Sequence, residues 1–254
     1  MQLFEQSQPG SEEADIEEDK ARPSSIAAAG GISLSITPKP PETWSTPDPN
    51  VGNGGGNDFV RNRNAVLTTA RYTCTGCGVR SNVSSKVRTG YMDVHHVDHN
   101  HGNNVISNFR PLCQICHAVM HVGFPGELMP KGELIIFPSL SQAEINVLAW
   151  GVLRAADSTE YRKTAKRIFR EIRDEGRLLR EKNIPGFSGS LSVWSAFNRN
   201  LYKRESTAVL GDFDSITADI RLLPSLASYQ LQASYLARQT LGALEESEWT
   251  ELLT

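Results

Sequence analysis

All four cysteines and all six histidines of this 254-residue chain fall between Cys74 and His121, a window of 48 residues, and the other 206 residues contain neither. Random scatter would not clear both flanks of both metal-ligating residue types, so any metal chemistry is concentrated here. Cys74-Thr-Gly-Cys77 and Cys113-Gln-Ile-Cys116 are two Cys-x-x-Cys turns separated by 35 residues. Each such turn points two thiolates at one ion, and two of them complete the closed, tetrahedral four-sulfur set of a structural zinc site. The alternatives are disulfides, which are rare in a cytosolic protein, or buried free thiols. Zinc at Cys74, Cys77, Cys113 and Cys116 would replace the core that so small a unit cannot build, coupling metal binding to folding.

The elements that must position these residues are short. Met92, Val94 and His96 alternate with Asp93, His95 and Val97, which is the period of a strand and sends His95 and His96 to opposite faces. After Pro111, the run from Cys113 to His121 predicts a helix with His117 and His121 at i, i+4 on one face. Strand, Asn/Gly-rich loop and helix, pinned by one zinc, make a ββα-metal unit. His99 and His101 sit in the loop and are read as solvent-exposed, with supporting or alternative-ligand roles as the other readings. Residues 71–121 carry a net charge of +3, enough for a few phosphate contacts.

His95-His96, Asn108 and Cys-x-x-Cys-His117 resemble the HNH nuclease motif, over roughly residues 71–121. The resemblance implies that His96 is the general base, that His95, His117 and His121 hold a divalent cation such as Mg²⁺, Mn²⁺ or Ni²⁺, and that Asn108 pins the loop orienting His96. Those residue types suit phosphodiester cleavage, which needs a near-neutral base and one cation for the developing charge. The alternative is a fold that keeps these residues without cleaving, or that holds an adventitious ion.

Charge and hydropathy set the frame around this unit. Residues 1–60 hold ten acidic side chains against three basic ones, together with Pro-Lys-Pro-Pro at 38–41 and a Gly-rich run at 52–56. Such a stretch buries too little apolar surface to offset ordering entropy and is expected to be a disordered acidic tail. No run of 18 apolar residues exists and the N-terminus lacks the pattern of a secretory signal, so the chain reads as cytosolic, with no direct membrane insertion. A net charge of −3 and a pI near 6.1 exclude whole-surface binding to nucleic acid, and any DNA contact must be local.

Beyond the zinc unit, Glu133–Phe137 predicts a buried strand closed by Pro138. Ser141-Gln-Ala-Glu144 is a capping box, and Ile145, Leu148, Ala149, Val152, Leu153 and Ala156 form one apolar helical stripe that reads as core. Residues 161–183 predict a helix with a net charge of +5, either a solvated face or a docking surface for an acidic peptide or a phosphate backbone. Ile184-Pro-Gly breaks the chain before helices expected over 191–204 and 225–250.

Arg71-Tyr-Thr-Cys-x-x-Cys-Gly78, Leu134-Ile-Ile-Phe-Pro138 leading into Leu140-Ser-Gln-Ala-Glu-Ile-Asn146, and Ile220-Arg-Leu-Leu-Pro-Ser225 together resemble the DotN/IcmJ family over about 71–240. These are HNH-like, zinc-containing subunits of the coupling complex in type IVB secretion and related conjugation machines. The resemblance implies an adaptor that binds the tail of the coupling ATPase and other coupling-complex subunits, cytoplasmic and peripheral to the inner membrane through those partners. A metal-dependent HNH endonuclease cleaving DNA is the competing reading. The long acidic tail and the presence of His95, His96, Asn108, His117 and His121 together depart from that family. The expected fold is α+β: a disordered tail at 1–60, an HNH-like zinc-binding unit at 61–125, and a mainly helical, partner-binding region at 126–254.

Overall fold

The structure is a computed structural model that describes residues 32–36, 57–81, 83–84, 88–122, 132–155, 161–203 and 217–237. It is mixed α+β, with two small antiparallel sheets set among helices. Helix α1 (Asn57–Thr69) packs on the first sheet, made of β1 (Met92–His96) and β2 (Phe109–Cys113). Met92 lies opposite Cys113 and His96 opposite Phe109. Helix α2 (Gln114–Met120) follows β2 directly, and its N-cap is Cys113, whose sulfur accepts the N–H of Cys116. The strand and helix expected around the histidines are thus both present.

The second sheet pairs β3 (Gly132–Ile136) with β4 (Ile220–Pro224), Leu134 facing Leu222. Between them in the chain run α3 (Gln142–Ala155), α4 (Arg162–Asn183) and α5 (Leu191–Lys203), and α6 (Gln230–Ala237) follows a 3₁₀ turn after β4. The capping box forms: Ser141 N–H donates to Glu144 Oε2 at 2.7 Å and Glu144 N–H to Ser141 Oγ at 3.2 Å. Helix α4 comes close to β3 at Gly176, where a Cβ would lie 2.8 Å from the Ile135 side chain. The break after α4 turns on Gly189, whose φ of +73° suits glycine and whose missing Cβ leaves room for the Arg180 guanidinium and the Leu134 carbonyl.

Each edge of the second sheet is bonded outward at its centre. Leu134 N–H donates outward to Gly189 O at 2.8 Å, and Arg180 donates to Leu134 O at 2.7 Å. On the β4 side the Gln142 side chain acts as a one-residue strand, accepting from Leu222 N–H at 2.7 Å and donating to Leu222 O at 2.9 Å. A buried backbone group left unpaired costs about 1–3 kcal/mol, so these contacts hold the sheet inside the core.

Two expectations change. The stretch 1–60 does not lie wholly outside the fold: α1 starts at Asn57, Ile36 is 3% exposed in the core, and Ile32 and Leu34 pack on it. Alternating Ile32, Leu34 and Ile36 supply the apolar face that composition averaged over sixty residues conceals. The second change concerns the boundary near 125, because the cysteine cluster shares one core with Ala149, Trp150 and Leu153 of α3 and Tyr229 and Ala233 near α6. Val119 and Val122 likewise pack with Leu134, Ile136, Trp194 and Leu222. The rest of the expected acidic tail, Ala156, and the expected helix beyond 237 lie outside the described residues. No helix among the described residues is long and apolar enough to cross a membrane.

Candidate metal centres

Cys74, Cys77, Cys113 and Cys116 converge, with sulfurs all within 4.8 Å of one another and every side chain buried. None is in a disulfide, and the 3.7 Å between the sulfurs of Cys77 and Cys113 far exceeds the roughly 2.05 Å of an S–S bond. The first turn is shaped by the backbone: Gly78 N–H returns to Cys74 O at 2.9 Å, and Gly78 takes a φ of +76°. Thr75 ties this turn to β2 by two bonds to Pro111 O, each 2.9 Å.

Helix α3 completes the surroundings. Asn146 Nδ2 donates to Cys116 Sγ at 3.2 Å, and Trp150 Nε1 donates to Cys113 Sγ at 3.3 Å. Gly76 N–H and Cys116 N–H add donors to Cys74 and Cys113. Four donors aimed at sulfur suit thiolates, which are acceptors only. Burial raises the Cys74 thiol, but hydrogen bonds from Cys113, Cys116 and Cys77 outweigh it and hold Cys74 well below the usual thiol range. The Cys113 hydrogen bond, with burial, pushes Cys77 well up, and burial followed by the neighbouring sulfurs does the same to Cys116. Burial, with the charge of Cys113 and Cys116, also pushes Tyr229 up to about 12. A dry pocket that favours one thiolate and resists the rest is completed by a cation, so the four cysteines could hold a metal ion.

The second cluster is His95, His117 and His121, each offering a ring nitrogen within 4.8 Å of the others. His95 is 2% exposed, from β1; the other two lie half-buried at i, i+4 on and just after α2. His117 Nε2 and His121 Nε2 are 3.0 Å apart, the separation of two ligand bonds of about 2.1 Å set near a right angle. Asp93, two residues before His95 on β1, places Oδ2 3.6 Å from His117 Nδ1. These three histidines therefore also fit a metal ion.

His96 points the other way, as strand alternation requires. Its ring stacks on Phe59 of α1, with centroids 6.1 Å apart and planes at 9°, and meets the edge of Phe109. His96 Nε2 lies 3.0 Å from Asn104 Oδ1. An amide oxygen only accepts, so in this contact His96 donates through Nε2. Asn104 is fixed in turn by Asn62 of α1, which donates to its carbonyl at 2.9 Å.

Asn108 is buried and pins the intervening loop. Its Nδ2 donates to Asp98 Oδ1 at 2.8 Å and to Asn103 O at 2.9 Å, and its Oδ1 accepts from Asp98 N–H at 3.1 Å. Burial works against ionisation of Asp98, but Asn103, the Asn100 N–H, Asn108 and the charge of His96 hold its carboxyl below the usual range.

The expected exposure of His99 and His101 is corrected. Both are half-buried, the His99 ring 4.9 Å from His95 and the His101 ring 5.0 Å from His96 and 6.3 Å from His121. The pinned loop folds back over the site, and a φ of +58° at His99 makes the turn. All six histidines of the chain thus stand in one cluster. Sequence reasoning missed Asn104, Asn62, Asn146 and Trp150. The signal for the last two was a polar and an indole side chain, four apart, set inside an apolar helix. Compared with known protein families and with curated proteins, the chain matches none.

Proposed function

We propose that the protein is a metal-dependent phosphodiesterase acting on nucleic acid, an HNH-like ββα-metal unit stapled by zinc at Cys74, Cys77, Cys113 and Cys116. The observation that carries this reading is the division of labour on β1. His95 joins His117 and His121 in a three-nitrogen cluster, while His96, one residue on, faces the other way and is held between Phe59, Phe109 and Asn104. For the staple, tetrahedral bonds of about 2.3 Å from zinc to sulfur would set sulfurs about 3.8 Å apart, against the 3.7 Å between Cys77 and Cys113.

In this reading His96 Nδ1 takes the proton from the attacking water. Asn104 keeps the imidazole in the tautomer and orientation for that step, and Asn108 holds the loop from which Asn104 projects. His95, His117 and His121 would hold a divalent cation, which would supply stabilisation of the charge that develops on the phosphate and the leaving oxygen. Asp93 orients His117 through its other ring nitrogen.

Purified protein incubated with supercoiled plasmid and Mg²⁺, Mn²⁺ or Ni²⁺ should nick it. His96→Ala should lower the rate about 10²-fold or more with zinc content unchanged, since a general base contributes about 10²–10⁴. His117→Ala should weaken the dependence on added cation. Undiminished cleavage by His96→Ala protein would remove His96 as the base and, with it, this reading.

A second reading comes from the DotN/IcmJ resemblance: an adaptor in a type IVB secretion or conjugation coupling complex, cytoplasmic and held at the inner membrane by its partners. The motifs at Arg71–Gly78, Leu134–Asn146 and Ile220–Ser225, in order along both halves of the chain, support it. Co-purification of a coupling ATPase from the native host would support it.

A further inference from the structure

Helix α4 lays a stripe of cations along an open groove of about 1220 Å³, which the ββα unit does not use. Lys163, Lys166, Arg167, Arg170, Arg173 and Arg177 line it, against one lining carboxylate, Glu133. From Lys163 to Arg177 they run over 15 residues, about 21 Å of helix at about 1.5 Å per residue. All six are exposed or half-buried. The chain carries a formal net charge of −3, so this face concentrates positive charge against the balance of the molecule.

We infer that this groove binds the phosphate backbone of a nucleic acid. Three of the cations are already engaged: Arg177 grips Glu133 with two bonds of 2.8 Å, Arg167 pairs with Glu171 at 2.8 Å, and Arg173 with Asp174 at 3.0 Å. The pairs at Arg167 and Arg173 are exposed and are worth about 0–1 kcal/mol, so a phosphate exchanges for them at little cost. Lys163, Lys166 and Arg170, at i, i+3 and i+7, have no carboxylate within 4.0 Å among the described residues. Among the described residues they form a row of three cations without a carboxylate partner on one helix face.

Two features favour a phosphate backbone over an acidic peptide. A peptide that adds a strand needs an open sheet edge, and Leu134 and Leu222, at the centres of β3 and β4, already bond outward to Gly189, Arg180 and Gln142. A peptide that docks by apolar anchors needs exposed apolar side chains, and none of the large hydrophobic residues exposed among the described residues lines the groove. Its apolar floor, including Phe169 and Leu226, is packed against the core. What remains is a run of cations with the hydroxyls of Thr164, Ser225 and Ser228, which matches a ligand of repeating charge and no side-chain requirement.

The test is binding by the full chain to a labelled 20-base-pair duplex, followed by fluorescence anisotropy without added divalent cation, from 50 to 200 mM salt. The triple variant Lys163→Gln, Lys166→Gln, Arg170→Gln should lower the slope of log K against log salt by about 2.7, at about 0.9 per phosphate contact, so that the wild-type advantage shrinks about 40-fold over that range. The variant Lys163→Arg, Lys166→Arg, Arg170→Lys keeps the charges and should bind as wild type. Equal zinc content and circular dichroism establish that the variants are folded. An unchanged affinity and salt slope in the glutamine variant would overturn the inference. So would a polyglutamate peptide that binds more tightly than the duplex and loses binding in that variant. Because the assay reads binding alone, a protein that binds but never cleaves refutes only the phosphodiesterase reading, and one that cleaves with an unaltered glutamine-variant slope refutes only the groove.

Discussion

Replacing Asn146 by leucine should loosen the four-cysteine site even though Asn146 is no ligand. Asn146 is fully buried; its Nδ2 donates to Cys116 Sγ at 3.2 Å and its Oδ1 accepts from Gln142 Nε2 at 2.9 Å. Leucine fills similar volume and makes neither bond. A hydrogen bond to a charged acceptor contributes about 1.5–3 kcal/mol and a neutral one about 0.5–1.5. The difference, about 1–2 kcal/mol, exists only when Cys116 is a thiolate on the ion. It should therefore appear as a 5- to 30-fold loss of zinc affinity, within the range for residues that support metal ligands. The Gln142 contact contributes separately: one amide N–H loses its acceptor while the other keeps Leu222 O, lowering stability with or without metal by about 1–3 kcal/mol. Zinc titration against a competing chelator reads the first effect, and chemical denaturation of metal-free and metal-loaded protein reads the second. Trp150→Phe, which removes the indole donor to Cys113 and leaves the Cys116 N–H in place, should weaken zinc in the same direction. An Asn146→Leu protein that binds zinc within twofold of wild type would refute the assignment of α3 as a support for the thiolates.

Metal loading should also be steep in pH. Cys77 and Cys116 lie well above the usual thiol range without an ion, so both carry protons at neutral pH and binding must displace them. Affinity then rises with pH, by about tenfold per unit for each displaced proton, so these two protons alone contribute about 10² per unit; chelator competition between pH 6.5 and 7.5, corrected for the chelator, measures it. Asn108→Ala should free the loop that carries His99, His101 and Asn104, costing about 1–3 kcal/mol of stability and lowering any nicking activity with zinc retained. Denaturation and plasmid assays on one preparation check both.

Much of the site was legible because it is written at short range. A Cys-x-x-Cys turn, histidines at i, i+4, alternation along β1 and the Ser141–Glu144 box are set by covalent spacing and by helix or strand period, so residue order alone defines them. The same holds for the cationic run of α4. What the sequence concealed lies at long separation: Asn146 meets Cys116 across 30 residues, Trp150 meets Cys113 across 37, and Gln142 bonds to the centre of β4 across 80. Local periodicity cannot register such pairs, and it marked α3 simply as an apolar stripe. Residues 32–36 are a further case, since a short apolar alternation inside an acidic stretch is committed to the core only once a surface exists to receive it. The loop histidines were misplaced for a similar reason. Nothing about an Asn/Gly loop fixes its direction, and only the bonds of Asn108 to Asp98 and Asn103 turn His99 and His101 back over the site. The sequence thus determined which side chains are capable of binding metal and moving a proton, through local backbone geometry. Tertiary packing decided which donors surround the sulfurs, which face His96 presents, and which groups bond to the sheet edges, because those depend on chain segments meeting in space.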